Sequence, residues 1–316
     1  MNFKSIFFNE FGRIKSGVRF MIFLLSFFIT TAVLLSMATA VVVALPIGFT
    51  TNSLGSYILQ FSVSFAVAMF FGWLYGKVFE DLPFRALGFW FTQNWFKDLC
   101  LGSLIGAFSI VLAAFIAIAL GGLKFKYNDS VGSTAMLLTL GSSLVIFTLG
   151  AAFEEVFFRG YLLQTLCRSK LAWVAIALTS QFFTMAHLGN ANSNIVSTIN
   201  TALAGIWLGA AYLKTRNLWF PFGIHLMWNW FQGAVFGIEV SGITQFTTAP
   251  ILHEIDSGPA WLTGESYGIE GGIACTIALI VSMALIYFLP NLKPTDEMLA
   301  LTSEEKPKQI KSSLQT

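Results

Sequence analysis

The sequence predicts an all-α polytopic membrane protein of about eight transmembrane helices, and three observations predict it. The chain of 316 residues is 56% hydrophobic and only 11% charged, with a mean hydropathy of +0.73, whereas soluble domains carry about 25% charged residues. Eight apolar runs are long enough to cross a hydrocarbon core about 30 Å thick, which takes about 20 residues. The basic residues gather on alternate connections between those runs, as the positive-inside rule requires.

The runs lie at 20–45, 55–79, 98–121, 134–160, 171–188, 194–213, 218–237 and 271–290. The first exceeds a signal-peptide core of about 7–15 residues, so it reads as a retained anchor. Residues 80–97, with Asp81, Arg85, Trp90, Trp95 and Lys97, mix charge with aromatic rings as a segment at the cytosolic interface does. Asp98 opens the third run as a helix-start residue. Gly102-x-x-x-Gly106 in the third run and Gly205-x-x-x-Gly209 in the sixth let helices approach closely. The fifth run is short, and Pro221 interrupts the seventh. Residues 238–270 hold Glu239, Glu254, Asp256, Glu265 and Glu270 with no Lys or Arg, an acidic outer loop. The tail from Asn291 to Thr316 is polar and expected to be disordered. The domain organisation is therefore two N-terminal transmembrane helices (1–79), a core (80–237), an extracytoplasmic acidic loop (238–270), and a last transmembrane helix with a cytosolic polar tail (271–316).

Orientation follows from charge. With the N-terminus inside, the cytosolic side receives Lys4, Arg13, Lys15 and Arg19, then Lys77, Arg85 and Lys97, then Arg159, Arg168 and Lys170. It also receives Lys214 and Arg216, then Lys293, Lys306, Lys308 and Lys311, which makes 16 of the 18 basic residues. Only Lys124 and Lys126 fall outside. Both termini are thus expected in the cytosol of a multi-pass cell-membrane protein. Basic charge spread along cytosolic edges forms no patch for a nucleic acid, so the lipid bilayer is the expected partner. The three cysteines, Cys100, Cys167 and Cys275, lack metal-ligand spacing and read as buried apolar thiols.

Chemistry concentrates in three runs. A carboxylate near the bilayer centre costs about 2.5–3.5 kcal/mol on insertion scales, yet the fourth run contains Glu154 and Glu155 side by side, with Arg159 following. At about 100° per residue, Glu155 and Arg159 stack four apart while Glu154 points elsewhere. Arg159 then neutralises Glu155 and leaves Glu154 to face a cavity and polarise water; in the alternative, both acids share Arg159 in a buried ion network. The fifth run ends at His187, and a turn at Ser169 and Lys170 makes the fourth and fifth runs a hairpin. Glu154 and His187 lie about 24 and 25 Å from that turn, at one level. His225 and Asn229 share a face of the seventh run, but His225 lies only about 13 Å past Arg216. The levels agree if residues 160–170 extend the hairpin about 10 Å beyond the membrane, which puts the site in the cytosolic leaflet. The third histidine, His253, reads as a surface residue of the acidic loop.

Glu154-Glu155-x-x-x-Arg159, Phe183-x-x-x-His187 and His225-x-x-x-Asn229 resemble the three motifs of the CPBP family, the type II CAAX prenyl endopeptidase and bacteriocin-processing group also called Abi proteins. The resemblance covers about residues 80–235, with the site between helices 4, 5 and 7. It implies an intramembrane endopeptidase that cleaves a membrane-embedded or lipidated peptide near the cytosolic face. On that resemblance Glu154 and His187 activate water, His225 and Asn229 stabilise the oxyanion, and Glu155 and Arg159 support them. Glu154, His187 and His225 would also make a zinc set with an open fourth position; they come from three separate helices, and the expectation is no obligatory metal. A non-catalytic immunity or scaffold protein binding a peptide in the same cavity is the alternative. Transport ranks last, since no pair of interrupted helices recurs in corresponding halves.

Overall fold

A computed structural model describes residues 6–44, 53–290 and 292–304. Eight principal helices occupy the eight apolar runs: α1 Ser16–Ala44, α2 Leu54–Glu80, α3 Trp95–Ala119, α4 Ser133–Glu154 with its continuations Glu155–Leu162 and Leu163–Arg168, α5 Ala172–His187, α6 Ile195–Thr215, α7 Trp219–Trp230 and α8 Ile273–Phe288. Among the described residues, α1, α2, α3, α4 with its continuations, and α6 are long and apolar enough by themselves to cross a membrane. The other three are shorter, with α5 and α8 at 16 residues each. Large apolar side chains form a belt around the outside, among them Leu104, Phe115, Leu137 and Leu138, each more than 60% exposed. In water such a belt would drive association; in a multi-pass membrane protein it meets lipid tails.

The helix ends define two ends of the bundle. One, here the inner end, holds both described termini and a network of basic residues. Arg13 pairs with Asp81, Arg19 and Arg168 both pair with Glu80, and Arg85 pairs with Glu297. The other, outer end carries a two-stranded antiparallel ribbon, β1 Leu123–Tyr127 against β2 Leu252–Asp256, and the connections 188–194 and 238–272. His253 is exposed there, as expected. Lys4, Lys306, Lys308 and Lys311 lie outside the described residues.

Small residues set the closest helix pair. α3 and α7 run parallel, and a side chain at Gly102 or Gly106 would collide with the carbonyls of Phe220 and Ile224. A Cβ at Gly205 would stand 2.8 Å from the Ser180 backbone of α5, so both glycine spacings serve packing. Across the bundle, Ser109 of α3 donates to Ser282 of α8 at 2.8 Å, and Trp207 of α6 donates to the same hydroxyl at 3.0 Å. Asp98, in the first turn of α3, accepts from the Asn217 amide just before α7.

Three expectations need correction. Pro221 does not interrupt α7; it sits in the first turn, where its missing N–H has no intrahelical partner to lose. Cys100 is exposed, while Cys167 and Cys275 are buried. The tail is not wholly irregular: Asp296–Thr302 forms a helix, α9, capped by the Thr295 side chain and anchored by buried Met298. Residues 305–316 lie outside the described residues. Gly160–Arg168 is buried within the protein, with Arg168 paired to Glu80.

Candidate active site

The acid pair sits where α4 changes its hydrogen bonding. From Glu155 to Leu162 the helix widens into a π-helical stretch kinked at Gly160, whose ψ of −123° is not helical. Such wide turns are rare and recur at functional sites. The uniform 100° step expected for this region therefore fails, yet Arg159 still reaches Glu155 at 2.9 Å.

Glu155 and Arg159 are fully buried. Glu155 Oε1 accepts from Arg159 Nη1 at 2.9 Å and lies 2.8 Å from His225 Nδ1. A carboxylate paired with Arg only accepts, so Nδ1 of His225 carries the proton. Arg159 also donates to the Gly205 carbonyl at 3.3 Å and lies over the Phe183 ring, 4.7 Å from its centroid. It is thus an interior group, not one of the cytosolic-edge charges it was grouped with. The remaining basic residues carry the asymmetry.

Phe183 explains its own motif. Its ring lies between Arg159 and the His187 ring, with centroids 4.5 Å apart for the latter, and it meets His225 edge-on. His187, in the last turn of α5, places Nδ1 2.8 Å from the Phe183 carbonyl. The carbonyl accepts, so Nδ1 is protonated and Nε2 keeps its lone pair.

Glu154, His187, His225 and Asn229 line one cavity of about 110 Å³. Glu154 is the less buried acid, its side chain 20% exposed. Its Oε2 has no hydrogen-bond partner among the described residues, and the nearest charged neighbour is His225 Nε2 at 3.6 Å. The histidine drawn to Glu154 is thus His225 rather than His187, although both border the cavity. Helices α4, α5 and α7 supply these groups as expected, but they do not enclose the site alone. Walls also come from α6 (Asn200, Thr201, Ala204), α8 (Cys275, Leu279) and the 238–272 segment (Ser241, Glu270).

Glu270 was not singled out from the sequence. It accepts from Trp228 Nε1 at 3.1 Å and from the Ser241 amide and hydroxyl, each at 2.7 Å. Its partners are 42 and 29 residues away, so no local spacing could have flagged it. As for a metal, no three His, Cys, Asp or Glu side chains among the described residues are grouped to hold one. The set Glu154, His187 and His225 does not fit a zinc ion in this arrangement.

Helices enclosing a largely apolar cavity, on which acids and imidazoles converge from distant parts of the chain, make a polytopic membrane protein with a polar centre in its interior. Residues 134–231 match the family model described as Type II CAAX prenyl endopeptidase Rce1-like; no curated protein and no solved structure matches the chain. Over that segment the chain is similar to the Rce1-like type II CAAX prenyl endopeptidases, which supports the resemblance to the CPBP family. The matched stretch is narrower than 80–235, contains all six motif residues and leaves Glu270 outside it.

Proposed function

We propose that this protein is an intramembrane endopeptidase that hydrolyses a peptide bond of a membrane-associated substrate, with Glu154 as general base. One observation carries the reading. Of two adjacent acids, Glu155 is fully buried and engaged through Oε1 by Arg159 and His225, while Glu154 is partly exposed and borders the cavity, where its Oε2 has no partner among the described residues. A group that must take a proton from water needs such freedom.

In this mechanism Glu154 removes a proton from water as its oxygen attacks the scissile carbonyl carbon. The negative charge then moves onto the carbonyl oxygen. The Asn229 amide donates to that oxyanion, an interaction worth about 2.7–4 kcal/mol per donor in comparable sites; because Glu155 holds Nδ1–H, His225 adds a second donor through Nε2 only as the imidazolium. Collapse of the tetrahedral species breaks the C–N bond, and the proton held by Glu154 passes to the leaving amine. His187, with Nε2 free, orients the water. Glu155 acts through His225: it fixes the imidazole and its tautomer, and is a positioning residue.

Peptidomics of membranes carrying the native protein or Glu154→Gln tests the reading. General-base loss should reduce product peptides by about 10²–10⁴-fold. Products that persist with the variant overturn it, and a phenotype that persists without any product favours a peptide-binding role instead. No obligatory metal is part of this proposal, since no three His, Cys, Asp or Glu side chains among the described residues are grouped to hold one. One zinc per purified chain, with turnover lost to chelator and restored by zinc, would refute that part.

A further inference from the structure

The charge on the cavity wall bears on what kind of peptide the site accepts. Two carboxylates border the cavity, Glu154 and Glu270, and among the described residues no Lys or Arg lines it. Glu155 and Arg159 offset one another in the interior beside it. A charge facing a largely apolar cavity is costly until an opposite charge or a full set of donors satisfies it. Glu154 is reserved for the attacking water, which leaves Glu270 to be explained.

Glu270 is held with little freedom. Its carbonyl accepts from Asn200 Nδ2 at 2.8 Å, and the same amide donates to the Gly272 carbonyl at 2.9 Å. Asn200 Oδ1 in turn accepts from the Thr276 hydroxyl at 2.6 Å, so the segment is tied to both α6 and α8. The carboxylate accepts from Trp228 Nε1 at 3.1 Å through Oε1, and from the Ser241 amide and hydroxyl, each at 2.7 Å, through Oε2. All three donors are neutral: they orient the group and leave its charge uncancelled. Two carboxylate oxygens offer about four lone-pair sites, so one remains for a donor arriving in the cavity.

The neighbouring rings favour the same kind of donor. Trp228 lines the cavity beside Glu270, and Trp207, also in the lining, stands edge-on to it with centroids 5.6 Å apart. Indole is the best of the aromatic faces for a cation. A fixed carboxylate next to two indoles, in a wall with no Lys or Arg, suits an ammonium or a guanidinium.

The geometry points to Glu270 as a specificity-determining residue that receives the positively charged side chain of a Lys or Arg in the substrate, while Glu154 works on the peptide bond. The inference rests on the endopeptidase reading for the nature of the ligand, but the preference for a cation can be measured without any cleavage.

The test uses the full chain carrying Glu154→Gln, which takes turnover out of the measurement and leaves Glu270 as the acid lining the cavity. Two probes of similar size are titrated calorimetrically in a nonionic detergent at neutral pH: benzylamine, which is protonated, and benzyl alcohol, which is uncharged. Benzylamine should bind about 10-fold or more tightly, the lower end for a hydrogen bond to a charged group, and adding Glu270→Gln should bring the two probes to parity. Benzylamine that binds no better than the alcohol, or not at all, overturns the proposal, as does a preference that Glu270→Gln leaves unchanged. If Glu270→Gln does not fold, Glu270→Asp takes its place; it draws the charge back by one carbon and should weaken benzylamine while leaving the alcohol as it was. None of these results touches the endopeptidase reading, which the peptidomics of Glu154→Gln membranes tests separately.

Discussion

At the scale of single residues, the site divides its two acids by what each touches. Glu155 holds Arg159 and His225 in a dry interior, so removing it strands a buried guanidinium. Breaking one side of a buried pair costs about 3–5 kcal/mol, and Glu155→Ala should lower the thermal midpoint and the yield in detergent. Glu154→Gln, by contrast, keeps shape and volume at the cavity wall and should leave the midpoint near that of the native protein while abolishing turnover. A thermal melt of both variants separates the roles; equal destabilisation would contradict the division. Much of this was legible in the sequence, because Glu155 and Arg159 are four apart on one helix and two unusual acids stand out against lipid-facing neighbours. The preference of Glu154 for His225 over His187 was not, since it depends on how α7 leans against α4.

At the scale of elements, the apolar runs located the eight principal helices, five of which are long and apolar enough by themselves to cross a membrane. The widening of α4 at Glu155–Leu162 left no such mark; Leu87 packs against the helix at Gly160, where a Cβ would stand 3.3 Å from its side chain. The glycine spacings were legible as close-approach motifs, and the structure shows which helices they join. Gly106→Leu should force α3 from α7 by clashing with the Ile224 backbone. One turn from His225, that separation should reduce both stability and cleavage, with retention of a native melting midpoint as the contrary result. The outer ribbon offers a pH test. Burial, and then the negative charges of Glu239 and Asp256, push Glu254 up to about 8 from 4.5. The folded form then binds the proton more tightly than the unfolded, so the stability Glu254 lends is full below about 4.5 and lost as pH rises through about 8. Amide exchange across Leu123–Tyr127, corrected for its intrinsic rate, should accelerate above that pKa, and Glu254→Gln should flatten the dependence.

For the whole molecule, composition settled the membrane class, but depth could not be counted along a single helix. The count from Ser169 needed the end of α4 to reach beyond the membrane, and what the structure adds is that this end packs inside the protein with Arg168 on Glu80. Glu270 eluded the sequence for a related reason, since Trp228 and Ser241 become its neighbours only once the outer connection lies across the cavity. Glu270→Ala would leave the Trp228 and Ser241 donors unsatisfied and loosen that cover. It should weaken substrate affinity more than turnover, a split visible as a raised KM at nearly constant kcat. The wide turn in α4 also fixes the rotational phase between two stretches of one rod: above it the helix presents Glu154 to the cavity, below it Arg168 to Glu80. Excising one residue from Val156–Phe158 would regularise the coil at the expense of that phase, swinging one partner set away by about 100°. A chain in which each side-chain type were kept but that single surplus residue were lost could not satisfy both ends at once.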